Sequence, residues 1–270
     1  MSAENDASNE ESPSEKKTED VTNPGTIRLI PETKNLENIK ISDEESSFYT
    51  DAKDYWSNIP ATLDGMLGGF GYISSLDLNF SERYIRDILK SADPPQRLRA
   101  LDCGAGIGRI SKNLLMKHFE TVDLVEQDQK FSEEAKVYCS SSDDSAKRLG
   151  TVYNVGLQKF TPEPNTYDLI WSQWVLGHLT DEDLLEFFKR IKVGLKETGA
   201  FVIKENVTKH GTVEKDEDDS SITRPLKTYE TILKNAGFKV TQIVRQTNLP
   251  QGLFPVYLMT CRPKKKKAIN

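Results

Sequence analysis

Three observations predict an open α/β fold. Short apolar runs alternate with stretches of helical periodicity, a glycine turn joins the first strand to the helix behind it, and the chain finishes on two consecutive strands. Together they describe a seven-stranded, mostly parallel sheet with helices on both faces and an antiparallel C-terminal edge.

Residues 81–90, SERYIRDILK, read as an amphipathic helix, and LRALDCG (98–104) as the buried first strand. A helix over 109–118, the strand TVDLVE (121–126), a helix over 131–139 and the strand TVYNVG (151–156) continue the rhythm. The fourth strand is YDLIWSQW (167–174). Thr180 with Asp183 three positions on resembles a capping box, and Leu184, Leu185, Phe188 and Ile191 repeat at helical spacing behind it, with Gly199 as the stop. The strand AFVIKEN (200–206) leads into a polar, acidic stretch over 207–223. A helix over 225–235 opens on Pro225, whose fixed φ suits a first helical position, and closes before Gly237. FKVTQIVR (238–245) and FPVYLMT (254–260) complete the sheet.

The 270 residues carry 36 Lys or Arg against 42 Asp or Glu, a net charge of −6, which excludes a strongly basic nucleic-acid binder. The acidity is placed early, since residues 1–45 hold 12 acids and 5 bases and no aromatic residue precedes Phe48. So little apolar surface cannot offset the entropy of ordering, and a disordered tail over 1–45 is expected. Residues 46–262 then form one domain, and 263–270 a basic tail whose lysine run, 264–267, reads as a nuclear import signal or a solubilising end. Cys103, Cys139 and Cys261 show no C-x-x-C spacing and predict reduced thiols. The start MSAENDASNE lacks the basic and apolar regions of a signal peptide, and no apolar run reaches the length of a membrane span. A soluble monomer of the cytoplasm and nucleus is expected, with no part for metal, membrane or nucleic acid.

The first strand should give way to its helix at Asp102-Cys103-Gly104-Ala105-Gly106-Ile107-Gly108, where open α/β sheets bind nucleotides. A dinucleotide fingerprint needs a glycine at position 109, which Arg109 occupies. G-x-G-x-G after an acid instead resembles the S-adenosyl-L-methionine (AdoMet) loop of Rossmann-like class I methyltransferases. Glu126, eighteen residues beyond Gly108, ends the second strand where an acid can accept hydrogen bonds from ribose hydroxyls. Leu157 and Gln158 would flank adenine, and Gln173 would face the methionine portion. A plain strand-to-helix turn is the bland alternative.

LDCGAGIGRI, LQKFTPEPNTYDLIW, SQWVLGHLTD and DAKDYWSNIPATLDGMLGGFG together resemble the eukaryotic protein N-terminal methyltransferases, over about residues 48–261. That family methylates the α-amine of proteins beginning Xaa-Pro-Lys or Xaa-Pro-Arg. The resemblance implies Gly104, Gly106, Arg109, Glu126, Gln127, Asp128, Leu157, Gln158 and Gln173 as AdoMet-binding residues. An α-amine has a pKa of about 7.7–8.0 and must lose its proton to attack, so the site needs a base. The resemblance makes His178 and Asp219 the bases and Asn206 the residue that orients the amine. His118 and His210 lack that support and are expected to be solvated.

EKDEDDSS (214–221) carries five acids in eight positions, an ordinary solvated loop on composition alone. The resemblance instead assigns Asp216, Asp219 and Ser221 to reading the basic third residue. Trp56 and Trp174 offer flat faces for a proline ring or a methylated ammonium, whereas Trp171 reads equally well as core. Leu67, Ile73, Leu253 and Phe254 correspond to the family's channel wall, with Phe254 in place of a frequent tyrosine. DGMLGGFG, four glycines in eight residues, suits a substrate lid within 48–80. The rivals are an AdoMet enzyme for another amine, and a non-catalytic protein that only binds N-termini.

Overall fold

A computed structural model describes residues 43–264, with side chains from residue 47. The expected acidic tail lies almost wholly outside the described residues, as does the lysine run beyond Lys264. In chain order the strands are β1 (Arg99–Cys103), β2 (Thr121–Glu126), β3 (Leu149–Asn154), β4 (Tyr167–Gln173), β5 (Leu195–Asn206), β6 (Glu214–Asp216), β7 (Ser221–Thr223), β8 (Phe238–Arg245) and β9 (Val256–Pro263). The helices are α1 (Asp43–Asn58), α2 (Leu63–Met66), α3 (Ser74–Leu89), α4 (Arg109–Asn113), α5 (Gln129–Cys139), α6 (Asp143–Arg148), α7 (Asp181–Gly194) and α8 (Leu226–Asn235).

The main sheet has seven strands in the order β3-β2-β1-β4-β5-β9-β8, parallel from β3 to β5 and antiparallel at β9 and β8. This is the predicted class and topology. β4 is buried at every position because both its faces are covered, and its apolar centre Leu169-Ile170-Trp171 is flanked by the buried polar residues Asp168, Ser172 and Gln173. One face packs Phe187, Phe188 and Ile191 of α7 and Tyr229 and Leu233 of α8 against Phe201 and Ile170. The other packs Ile85 and Ile88 of α3 and Leu114 and Phe119 against Leu169 and Trp171. Each such side chain contributes about 1.5–3 kcal/mol on burial, so the strand order is held from both sides. The chain winds from β1 outward to β3, then returns to β4 on β1's other flank, and the crevice above β1 and β4 is the switch point.

Several elements differ from their sequence expectations. α3 begins at Ser74, well before residue 81, because Asp77 and Ser81 are held by buried partners. The expected helix over 109–118 breaks after Asn113, where Leu114 takes φ −126 and a 3-10 turn Leu115–Lys117 comes next. α6 is an addition, opened by the Ser142 side chain accepting from Ser145 N. α7 ends at Gly194, before Gly199, because Leu195 turns extended and pairs with Tyr167. Pro225 caps α8, with Leu226 as its first residue. The acidic stretch contains a hairpin, β6 paired with β7. No helix among the described residues is long and apolar enough to cross a membrane.

Candidate active site

Beyond Cys103 the chain must turn sharply, and Gly104, Gly106 and Gly108 take φ of +71, +55 and +80. Only glycine adopts these values freely. A Cβ on Gly104 would stand 2.4 Å from Val175 Cγ2, and one on Gly106 2.2 Å from Met66 Sδ. Gly104 N and Ala105 N donate to Val125 O at 2.9 and 3.0 Å, pinning the turn to β2. At the end of β2, Glu126 accepts from Gly106 N and Asp128 N, each at 2.9 Å. Burial raises its pKa, and these N–H groups oppose the rise. Asp102 is buried, accepts from Ser111 Oγ at 2.7 Å, and is pushed up to about 6 by burial.

The turn roofs a first cavity. Gly104, Gly106, Arg109, Glu126, Gln127, Gln158 and Gln173 line it, with Phe131, Val155 and Leu157 along an apolar side. Asp128 does not line it and instead caps α5, accepting from Phe131 N at 3.1 Å. Two of its lining residues donate to the fully buried Asp77, Arg109 from Nη1 at 2.7 Å and Gln173 from Nε2 at 3.0 Å, and Lys204 Nζ donates to it as well. Burial would raise Asp77, but Lys204 and Arg109 hold it below the usual range, while burial pulls Lys204 down to about 8 against Asp77. Arg109 also acts on the Asp102 carboxylate, so the two cations lie among two carboxylates. Both cations also flank Trp174, with Arg109 5.7 Å and Lys204 5.8 Å from its ring centroid.

These residues fit the cofactor that the resemblance implies. The cradle admits close approach to backbone, Glu126 can accept from hydroxyls, the Arg109 guanidinium suits a carboxylate, and the apolar side suits a purine.

A second cavity adjoins the first, and the two share Trp56, Met66, Leu67, Trp174 and His178. Ile73, Asn206, Asp219, Ser221, Leu253 and Phe254 line its remaining walls. Trp56 Nε1 donates to His178 Nε2 at 3.0 Å, and His178 Nδ1 lies 3.4 Å from Ser220 O, a pairing that assigns the imidazole proton to Nδ1. Burial lowers the pKa of His178, with Asp219 opposing. Asp219 Oδ1 and Trp174 Nε1 are buried without a hydrogen-bond partner. An unmatched acceptor and an unmatched donor lining one cavity are what a polar ligand would satisfy.

Other candidates fall elsewhere. Asp216 is exposed on β6 and does not line the second cavity. Trp171 is fully buried core. His118 is not solvated as expected: its Nε2 lies 3.0 Å from Glu82 Oε2, because α3 passes directly beside it. His210 is exposed. Sequence reasoning missed Met66, whose Sδ accepts from Ile107 N at 2.9 Å, and the Asp77–Lys204 pair. A lysine inside the apolar run AFVIKEN was the legible hint of that pair; Asp77 carried no comparable sign.

A profile of the family described as AdoMet dependent proline di-methyltransferase matches residues 44–262. The chain is 53% identical over 228 residues to alpha N-terminal protein methyltransferase 1 of Drosophila melanogaster, covering 84% of this chain and 81% of the relative. It is 45% identical to N-terminal Xaa-Pro-Lys N-methyltransferase 1-B of Xenopus laevis, covering 83% and 99%. Among solved structures, a SAM-dependent methyltransferase of Leishmania major superposes with a TM-score of 0.76 at 35% identity, covering 83% of this chain and 87% of that one.

Proposed function

The chain belongs to the AdoMet-dependent proline di-methyltransferase family, and from that premise we propose that it methylates the free α-amine of proteins beginning Xaa-Pro-Lys or Xaa-Pro-Arg after removal of the initiator methionine. It is an AdoMet-dependent methyltransferase of the class I fold. The observation that carries the finer reading is the junction of two cavities at Trp56, Met66, Leu67, Trp174 and His178, with the unpartnered Asp219 Oδ1 beside it.

In this reading the first cavity holds AdoMet: Glu126 and Gln127 take the ribose, Leu157 and Gln158 the adenine, and Arg109 with Gln173 the methionyl end. Gly104 and Gly106 provide the close approach. Bound AdoMet supplies an electrophilic methyl group on a sulfonium. The protein's task is to present a neutral amine in line with that group. Asn206 orients the amine and Asp219 takes its proton. His178, whose burial favours the neutral form, serves as a second acceptor once Trp56 releases Nε2. Trp56, Trp174, Leu67 and Ile73 enclose the proline ring, with Leu253 and Phe254 across the channel. Asp219 and Ser221 lie nearest the third residue, and Asp216, being exposed, adds a longer-range attraction for a basic side chain.

Mass spectrometry of a Ser-Pro-Lys-Arg peptide and its Nα-acetyl form, each incubated with AdoMet and the full chain, tests this directly. Methyl mass is expected on the free amine alone. Methylation of the acetylated peptide would move the reaction to a lysine side chain. AdoMet binding without gain on either would leave a cofactor-binding protein of another role.

A further inference from the structure

We propose that Glu205 and Arg224 form a buried clamp on the turn that carries His178, and that both are positioning residues for methyl transfer. The inference rests on the reading that His178 stands at the transfer point.

The turn needs outside support. Trp174 leaves β4 in left-handed backbone at φ +52, and Val175 comes next at φ −137, ψ −23, so the chain departs abruptly from the sheet. It then enters a 3-10 turn of three residues, Leu176–His178, held by His178 N to Val175 O at 3.1 Å and Leu179 N to Leu176 O at 3.3 Å. Such a turn has little rigidity of its own. Its entering N–H groups, Val175 N and Leu176 N, both donate to Glu205 Oε1, at 2.8 and 2.9 Å. Its exiting carbonyls meet a guanidinium: Arg224 donates from Nη1 to Leu176 O at 3.1 Å and from Nη2 to Leu179 O. Arg224 Nε also reaches Asp181 Oδ1 at 2.7 Å, tying the turn to the start of α7.

Neither side chain is a cheap way to fill this space. Arg224 is fully buried, and Glu205 is 5% exposed, its exposed part at the wall of the second cavity beside Asn206. A guanidinium and a carboxyl withdrawn from water are costly, and apolar residues of similar volume commonly serve stability as well or better. What the pair supplies is direction. Their positions in the chain point the same way. Glu205 immediately precedes Asn206, and Arg224 lies just past the hairpin that bears Asp219 and Ser221, with Thr208 N donating to Arg224 O at 3.2 Å. The clamp therefore joins the three segments that deliver the proposed amine-handling groups and fixes their mutual spacing, where an error of about 1 Å can cost roughly a hundredfold in rate.

Arg224→Lys keeps the charge and loses the fork. Its turnover on the Xaa-Pro-Lys peptide is expected to fall at least tenfold, with AdoMet affinity by calorimetry within twofold of wild type. The His178 ring titration, followed by NMR, should move by half a pH unit or more as its spacing to Asp219, Trp56 and the Ser220 carbonyl changes. Glu205→Gln retains an acceptor for both N–H groups and should recover much of the turnover lost in Glu205→Ala. An unmoved His178 titration overturns the clamp, as does equal loss of AdoMet affinity, turnover and thermal stability, which would mark the pair as ordinary fold residues. Should Arg224→Lys fail to fold, the comparison of Glu205→Gln with Glu205→Ala decides by the same readings. The titration and the calorimetry need no peptide, so a wild-type chain that methylates nothing would refute the functional reading and leave the clamp standing.

Discussion

Gly104 and Asp219 stand on opposite sides of the junction and should fail in opposite ways. Gly104 has φ +71, and a Cβ there would meet Val175 at 2.4 Å. Gly104→Val should therefore weaken AdoMet binding tenfold or more in calorimetry. Asp219→Asn keeps the shape of a side chain whose Oδ1 has no partner. Turnover should drop at least tenfold with AdoMet affinity within twofold, and lost cofactor binding would reassign the residue. Glu205 makes a separate prediction about pH. Burial pushes its carboxyl from 4.5 up to about 7, with the Leu176 and Val175 N–H groups opposing. The folded state then holds a proton that the unfolded chain releases, so this contribution to stability is complete below about 4.5 and lost as pH rises through about 7. The stability of Glu205→Gln relative to wild type should grow by roughly 3 kcal/mol across that window. A flat difference in denaturant titrations would mean that Glu205 ionises normally.

At the scale of elements, α1 and the acidic hairpin both line the second cavity. α1 is anchored by Tyr49, whose hydroxyl donates to Asp183 and accepts from Thr180 N at 3.2 Å, and by the Trp56 to His178 bond. The indole N–H engages the lone pair of neutral imidazole and so favours the neutral form. Trp56→Phe should raise the His178 titration midpoint in NMR, and an unchanged midpoint would show that the bond is absent in solution. On the hairpin, Asp219 faces the cavity and Asp216 faces solvent. Asp216→Asn should accordingly cost less in peptide KM than Asp219→Asn, and its effect should fade in added salt. The five acids of 214–221 look alike in sequence, and only the β6-β7 pairing, with Ser220 at φ +53, decides which of them turns inward.

For the molecule as a whole, a cofactor that binds only the folded state must stabilise it. AdoMet at a hundred times its Kd should add about 2.7 kcal/mol, a rise of roughly 5–10 °C in Tm for a domain of this size. No rise with AdoMet or its demethylated product would remove the first cavity as the binding site. The sheet on which that site rests was legible because its signals are local. Apolar runs mark β1, β4 and β5, glycine spacing marks the turn, and two adjacent terminal strands mark the antiparallel edge. Element ends were less legible. Leu195 leaves a helical pattern to pair with Tyr167, and α3 extends back to Ser74 so that Asp77 can meet Lys204 and Arg109. By itself the sequence determined the class of fold, the chain order of the seven main-sheet strands and the glycine turn, since each depends on residues close together in the chain. Only the tertiary structure decided that Trp56 engages His178, that Asp77 holds two cations, and that Glu205 and Arg224 brace one turn. Those partners lie tens of residues or more apart, and the pairing of buried charges depends on which surfaces the packed sheet brings together.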